Sequence, residues 1–337
     1  MKNSINIWFP TVRANSGSDI YTIRLCKALK KIGVNTELTW FSHLYELAPF
    51  MMGKKNIPIN TDIIHANSWN AFTFYKRDIP LVSTLHHNVF DPQFLPYKSK
   101  SQSLYHNWLI HQYEKLSLNK STINISVSEY TAASYSKTFN INTPEVIPNW
   151  IDESVFTPLL NKQSNHTFKL LFIGNHTRRK GADLLPQIMT KLGKGYELHT
   201  TGGLRKNNAQ NKGSSFIHHG HIPKTTDLVK LYQSCDALLF PSRLEGFGLA
   251  ALEAQACGLP VIATNCSAFP EVIVNNETGT LCQKDDIDAF VLAIKHLRLN
   301  HTKTLNMGLA ARSHVLNNFS EQKVINKYIK TYQSLLK

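Results

Sequence analysis

The run Ala237-Leu-Leu-Phe240-Pro-Ser-Arg-Leu-Glu245-Gly-Phe-Gly248-Leu-Ala-Ala-Leu-Glu253-Ala-Gln-Ala-Cys257-Gly-Leu-Pro260-Val-Ile-Ala263 decides the fold. A short apolar stretch reads as a buried strand, a loop with two glycines follows, and a helix begins near Gly248. A second apolar stretch follows Pro260. Strand, helix and strand in that order make a parallel pair with its crossover. Gly246 and Gly248 let backbone N–H groups approach a ligand, and the helix start behind them supplies free donors and a partial positive charge. That is a diphosphate cradle without a phosphate-loop lysine. Glu253 lies about five residues into the helix, roughly 7.5 Å along it, where a carboxylate can accept both hydroxyls of a ribose. Glu245 sits in the loop on the far side of the phosphates, where a sugar would lie. Spacing alone leaves open the plainer reading of one surface glutamate and one helical glutamate beside an ordinary turn.

Outward from this run the same rhythm fills the chain. Strands are expected at Ile5–Phe9, Thr36–Phe41, Asp62–Ala66, Pro80–Leu85, Thr122–Val127 and Glu145–Pro148. They restart at Phe168–Ile173, Tyr196–Thr200, Ser215–His219, Ala237–Phe240, Pro260–Ala263 and Gly279–Cys282. Helical patterns intervene, notably at Ser18–Lys31, Ala182–Leu192, Thr225–Ser234, Gly248–Cys257 and Asp286–Leu297. The expectation is an α/β protein of two doubly wound, Rossmann-like domains, because twelve strands exceed one comfortable open sheet. The boundary falls in Pro144–Lys169, with its polar run from Asn161, which gives domains 1–155 and 156–318.

The chain has 337 residues, 42% of them hydrophobic and 18% charged, enough for buried cores. Its net charge of +14 favours an anionic partner: a nucleotide, a phosphorylated substrate, nucleic acid or an acidic membrane. Residues 1–155 carry 15 basic and 11 acidic side chains and the remainder 22 and 12, which places the anion site mainly in the second domain. No stretch is apolar enough for a transmembrane helix, and the first residues read as an edge of the fold and not as a signal peptide. Five widely spaced cysteines without a Cys-x-x-Cys pair fit reduced thiols and a cytoplasmic location. Asn-x-Ser/Thr triplets such as Asn124-Ile-Ser126 read as chance occurrences, one of them inside an expected strand.

A second strand-to-loop segment, Leu170-Leu-Phe-Ile-Gly174-Asn-His-Thr-Arg178-Arg179-Lys180-Gly181, puts three cations at a strand end, as a leaving diphosphate requires. The cluster His218-His219-Gly-His221 invites a metal. Strand alternation sends neighbouring histidines to opposite faces, however, so a structural role is expected and no metal site is assigned. A nucleic-acid-binding protein would need an aromatic-interleaved basic stripe, and none is present. A dinucleotide oxidoreductase would need Gly-x-Gly-x-x-Gly after a strand, which is also absent.

Pro-Ser-x-x-Glu245-Gly-Phe-Gly-Leu, Glu253 eight positions on, and Ala-Cys-Gly-x-Pro-Val resemble the signature of the retaining GT-B glycosyltransferases of family GT4. Weaker pieces agree: Asp62-Ile-Ile-His-Ala, Ile147-Pro-Asn-Trp-Ile-Asp, Gly220-His-Ile-Pro, Pro270-Glu271 and Glu277-Thr-Gly-Thr-Leu281. The final Phe319-Ser-Glu…Tyr332…Leu335-Leu336 is similar to a C-terminal helix that crosses back to the N-terminal domain, so residues 319–337 are assigned there. The resemblance implies the GT-B fold, two such domains facing a cleft.

What it implies for the site is specific. Glu253 binds the nucleotide ribose and Glu245 the donor sugar's hydroxyls. The amides of Phe247, Gly248 and Leu249, beside Gly246, hold the diphosphate, and Arg179 and Lys180 neutralise it. Gly174 and Ile222 complete the donor side. Gly17 of the Ser16-Gly17 turn and His86 belong to the first domain, with Asp19 a candidate on the acceptor side. The reading left by residue chemistry alone is a satisfied polar group for His86 and helix-dipole stabilisation for Asp19. Ser16 replaces the family's first turn glycine, Asn175 stands where many members have arginine, and Trp150 replaces a glycine. The implied reaction is transfer of a hexose from a nucleotide-sugar donor, UDP-hexose or alternatively GDP-mannose, to a glycan or glycolipid acceptor. It uses a front-face mechanism and no cofactor or metal. The implied setting is bacterial polysaccharide or lipopolysaccharide synthesis, with peripheral contact to an acidic membrane. Loops His43–Ile59 and Asn88–Asn107 are expected to shape the acceptor site, the second meeting a sugar face, a lipid-linked glycan or the membrane surface, or else only packing as a loop. Phe90, Phe94, Tyr97, Tyr105, Lys98 and Lys100 are the candidates in the second of these loops.

Overall fold

The computed structural model describes residues 5–14, 16–46, 48–159, 167–202 and 215–337. The polar run from Asn161 expected as a linker lies almost wholly outside them. The chain forms two units, Met1–Asn149 with Gln322–Lys337, and Trp150–Glu321.

The first unit carries β1 (Asn6–Val12), α1 (Gly17–Lys31), β2 (Asn35–Phe41), β3 (Ile63–Asn67) and β4 (Leu81–Leu85). Next come α2 (Lys100–Tyr105), α3 (His111–Lys120), β5 (Ile123–Ser126), α4 (Glu129–Phe139) and β6 (Glu145–Val146). The sheet order is β2-β1-β3-β4-β5-β6, and every pairing is parallel. β3 and β4 are buried at every position, so neither alternates between a buried and an exposed face, and the polar His65, Asn67, Ser83 and Thr84 within them are buried as well.

The second unit begins with β7 (Phe168–Phe172), α5 (Leu185–Leu192), β8 (Tyr196–Thr200), β9 (Phe216–His218) and α6 (Thr225–Ser234). It continues with β10 (Ala237–Phe240), α7 (Leu249–Ala256), β11 (Val261–Thr264), α8 (Phe269–Val272), β12 (Gly279–Cys282), α9 (Ile287–Leu299) and α10 (His301–Asn318). Helix α11 (Glu321–Ser334) then returns the chain to the first unit. The second sheet reads β12-β11-β10-β7-β8-β9, again all parallel.

Two expected elements are shorter than the sequence pattern suggests. The strand expected over Glu145–Pro148 pairs only at Glu145 and Val146. The helix expected from Ala182 starts at Leu185, because Pro186 suits a first turn and Gly181 before it has φ +71°. Leu185, Ile188, Met189 and Leu192 then form a buried i, i+3, i+4, i+7 stripe in the second core, each contributing about 1.5–3 kcal/mol by leaving water.

Strand order reverses between β7 and β10 in the second sheet. In an open parallel sheet a crevice opens at the carboxyl ends of the strands where the order reverses, and ligands bind there. The loops after β7 and β10 are the two cationic and glycine-rich segments singled out in the sequence.

Candidate functional site

Those two loops are locked together. Gly181 stands against β10's exit: a Cβ there would lie 2.1 Å from Pro241 O, so only glycine permits the approach. Arg243, 4% exposed, closes the other side. Its guanidinium forks onto Asp183 at 2.7 and 2.9 Å, donates to Asp285 at 2.5 Å and reaches the Arg178 carbonyl. The backbone N–H of Arg243 also donates to Arg179 O at 2.8 Å. The basic loop is therefore held at a fixed place beside the glycine-rich turn.

Glu245 is the focus of the resulting cluster. It is buried, and Oε1 accepts from Lys180 Nζ at 2.6 Å and Ser242 Oγ at 2.7 Å, with Arg179 Nη1 at 3.5 Å. Burial by itself would raise its pKa; the two cations and the serine outweigh that and hold the carboxyl at about 2. Lys180 is lowered by burial against the pull of Glu245, and its ammonium lies 5.0 Å from the Phe240 ring centroid. Its stem passes over Gly174, φ +134°. Arg179 also donates to Leu244 O at 2.6 Å. The loop backbone is pinned by Glu245 N–H donating to Ser267 Oγ at 3.0 Å.

Beyond this knot the helix α7 begins. Gly248 caps it at φ +99°, a conformation that favours glycine, and no side chain caps the helix. Phe247 is buried with its ring edge-on to Phe319, so what it offers the loop is its amide. Gly246 and Leu249 flank it. Glu253 is 7% exposed inside α7, and its Oε2 accepts from Tyr232 OH at 2.9 Å. Ile222 is half-buried in the connection between β9 and α6. This one unit thus holds a fixed carboxylate–cation cluster, amide donors at a helix start, and a second oriented carboxylate within the helix.

The first unit gathers a different set. His86 follows β4, and its Nε2 lies 3.1 Å from Asn67 Oδ1. That oxygen only accepts, so Nε2 carries the hydrogen and Nδ1 is the acceptor nitrogen. Burial lowers its pKa to about 4, which keeps the ring neutral at pH 7. Tyr21 of α1 packs edge-on to it, centroids 4.6 Å apart. Gly17 opens α1 with nothing within 4 Å of where a Cβ would stand. Asp19 binds the Ala14 amide with both oxygens, at 3.3 and 3.1 Å, so the carboxylate closes the turn before the helix.

Sequence reasoning missed Ser242, Arg243, Asp183 and Tyr232. Ser242 and Arg243 lay inside the quoted motif; Arg243's partners, 60 and 42 residues away, carry no local signal. The histidine cluster resolves into pairs: His218 Nδ1 with Thr200 Oγ1 at 2.6 Å, and His219 Nε2 with His199 Nδ1 at 2.9 Å. Trp150 is buried. In the Asn88–Asn107 loop the aromatic side chains serve as loop packing, one of the two outcomes the sequence left open. Phe90 packs on His106, His111 and Phe139, Phe94 on His87, and Lys98 lies over both phenyl rings. Tyr105 donates to Glu46 O at 3.2 Å. The exposed apolar side chains there are Leu95, Leu104 and Trp108.

Both halves match glycosyltransferase family models: residues 44–155 that of Glycosyltransferase Family 4, and residues 160–314 that of Glycosyl transferases group 1. A glycogen synthase of Mycobacterium tuberculosis is 24% identical over 296 residues, 80% of this chain and 68% of that protein. The Staphylococcus aureus capsular polysaccharide biosynthesis glycosyltransferase CapM is 28% identical over 200 residues, 56% of this chain but only 51% of the relative. Among solved structures, sucrose-phosphate synthase from Thermosynechococcus elongatus superposes with a TM-score of 0.81 at 19% identity, covering 98% of this chain and 99% of that one. Anabaena HepE in complex with UDP-glucose gives 0.75 at 16% identity, covering 98% and 100%. Two all-parallel sheets, a helix that returns to the first of them, and family matches in both halves lead to one conclusion: this chain is a transferase enzyme of the family 4 glycosyltransferases, with the GT-B fold.

Proposed function

We propose that the chain moves a hexose from a nucleoside-diphosphate sugar to a hydroxyl of a glycan or glycolipid, with retention of the anomeric configuration. The observation that carries this is the cluster of Glu245 with Lys180, Arg179 and Ser242 beside the start of α7, with Glu253 held by Tyr232 further along the helix. On this reading Glu253 takes the ribose hydroxyls and Glu245 the sugar hydroxyls. Gly174, Ile222, Gly246 and the amides of Phe247, Gly248 and Leu249 line the diphosphate and base. Arg179 and Lys180 turn from Glu245 towards the phosphates and neutralise them as they leave. The bond from the anomeric carbon to the phosphate oxygen breaks, the acceptor oxygen bonds that carbon on the same face, and the departing phosphate takes the acceptor's proton. The cationic pair meets the charge, so the reading requires no metal and no cofactor.

His86 and Gly17 are assigned to the donor sugar. The acceptor nitrogen Nδ1 of a neutral His86 suits a donated hydroxyl hydrogen. Asp19 acts through the turn it closes. A UDP-hexose is the favoured donor, supported by the Arg179-Lys180-Gly181 loop and by the UDP complexes of HepE; GDP-mannose is the alternative. We place the enzyme in the cytoplasm, as five thiols fit, working in surface polysaccharide or lipopolysaccharide synthesis. Peripheral contact with an acidic membrane is assigned to Leu95, Leu104 and Trp108 with Lys100 and Lys115, a stretch whose Asp91 and Glu114 are buried. Among the described residues no helix is long and apolar enough to cross a membrane.

Thermal denaturation with UDP, GDP, ADP, NAD and an oligonucleotide tests the reading, since a ligand that prefers the folded state raises the transition. Stabilisation by UDP that disappears in Glu253→Ala is expected. Stabilisation only by NAD or by the oligonucleotide would overturn it.

A further inference from the structure

Helix α11 enters the first unit with two tyrosines whose hydroxyls are wholly buried, Tyr328 and Tyr332. A helix that only packs on a sheet does so most cheaply with apolar side chains, because a buried hydroxyl must find a partner or lose about 1–3 kcal/mol. Here the hydroxyls are joined into a line that runs across the unit. Tyr332 OH lies 2.7 Å from His65 Nδ1, and His65 Nε2 lies 2.6 Å from Thr84 Oγ1. Thr84 Oγ1 is 3.3 Å from Tyr21 OH, which is 2.6 Å from Tyr328 OH. His65, Thr84 and Tyr21 are at most 4% exposed.

The line ends at the candidate site. The Tyr21 ring is the edge-on neighbour of His86, and the other face of the arrangement is closed by Asn67, two residues beyond His65 on β3. Tyr21 also lies in the first turns of α1, four residues after Gly17. The hydroxyl pair at 2.6 Å fixes where the Tyr21 hydroxyl lies and with it the direction of the side chain from α1, and the ring so placed, edge-on to His86, sets which way the imidazole presents Nδ1. In a low-dielectric interior such linked hydrogen bonds reinforce one another, so removal of one member is felt along the line.

We propose that Tyr328 and Tyr332 of the last helix are positioning residues for His86, acting through His65, Thr84 and Tyr21. Docking of α11 thereby sets the orientation of the imidazole. The proposal rests on the assignment of His86 to the donor sugar only for its effect on turnover; the orientation of the ring is tested separately.

The ring-nitrogen and ring-proton NMR signals of His86, in full-length protein labelled at histidine, give the direct readout; the signals are identified by their loss in His86→Gln. Tyr328→Phe and Tyr21→Phe remove a hydroxyl and leave each ring in place. Both are expected to shift the His86 signals, whereas Lys323→Ala, an exposed change on the same helix, leaves them where they are. Unmoved His86 signals in folded Tyr328→Phe and Tyr21→Phe overturn the proposal. Turnover of UDP-glucose supplies the second arm. Tyr328→Phe is expected to lower kcat about fivefold, the scale of one hydrogen bond, with the donor KM unchanged. In a His86→Ala background the same change is expected to leave kcat within about a factor of two, because residues acting through one group are not additive. Equal losses in both backgrounds mean that Tyr328 acts elsewhere and overturn the proposal. Shifted NMR signals with full activity in His86→Ala would uphold the positioning line and reject the donor-sugar assignment instead.

Discussion

In the second unit Glu245 is ringed by Lys180, Arg179 and Ser242; in the first, His86 and His65 are ringed by tyrosine, threonine and asparagine side chains. The two sheets are alike in strand number and direction, so the contrast is one of chemistry and not of scaffold. Glu245 is buried and stays charged because Lys180 and Arg179 stand beside it. His65 and His86 are buried without an opposite charge and stay neutral at pH 7. A neutral site exchanges hydrogen bonds with sugar hydroxyls, and a charged one meets phosphate, which explains why the excess of basic residues gathers in the second half.

The sharpest way to break this contrast is Lys180→Ala. It leaves Glu245 without its closest cation and removes charge from the proposed leaving-group site. Turnover of nucleotide sugar is expected to fall about 100- to 1,000-fold, and a loss below tenfold in initial-rate assays would count against the electrostatic reading. Arg243→Ala comes next. It takes away a guanidinium that is itself buried but whose partners Asp183 and Asp285 are partly exposed. Stability is expected to drop by about 2–3 kcal/mol, under the value for a fully buried pair, read from the urea midpoint, with Arg243→Lys recovering part of it. Glu253→Ala should weaken nucleotide binding by about 1–3 kcal/mol and Tyr232→Phe by less; calorimetry with both variants would show whether Tyr232 orients the carboxylate.

Acid titration separates the buried groups by sign and by pH range. Burial lowers His65 to about 3 and His86 to about 4 from the usual 6.5, and lowers His106 to about 4, helped by Lys98. The unfolded chain takes up these protons first, so stability present above pH 6.5 is lost as pH falls towards 4, at about 1.4 kcal/mol per pH unit for each proton. His176, His199, His219 and His314 of the second unit are lowered by burial as well and act in the same direction, whereas Glu114, raised to about 7 by burial, works in the opposite direction between pH 7 and 4.5. Glu245 adds nothing to this range: its contribution is complete above pH 4.5 and disappears as pH falls towards about 2. Urea midpoints at pH 7, 6 and 5 should decline, and less steeply in His65→Asn. An equally steep decline in His65→Asn would contradict the neutral character assigned to His65.

Several features were legible before any coordinates. All twelve strands were readable as short apolar runs, since parallel strands covered on both faces need little alternation. The Glu245–Gly246–Phe247–Gly248 turn and Glu253 were readable because a strand exit, two glycines and a helix start lie within a few residues. The aromatic loop was only half legible. Composition left Phe90, Phe94 and Tyr105 open between a contact surface and loop packing, and packing against His106, Phe139 and the Glu46 carbonyl decides for the second, while Trp108 is exposed.

By itself the sequence determined two parallel α/β sheets and singled out the residues proposed to hold an anion and a sugar, because backbone periodicity, glycine placement and helix starts act over about twenty positions or fewer. Tertiary structure alone decided which groups meet. Arg243 finds Asp183 across 60 positions, His65 finds Tyr332 across 267, and Tyr21 finds Tyr328 across 307. Such partnerships arise from which strand lies beside which and where the last helix docks. They are also what leaves Glu245 ionised and His86 neutral, since a buried group keeps or loses its charge according to the neighbours that replace water.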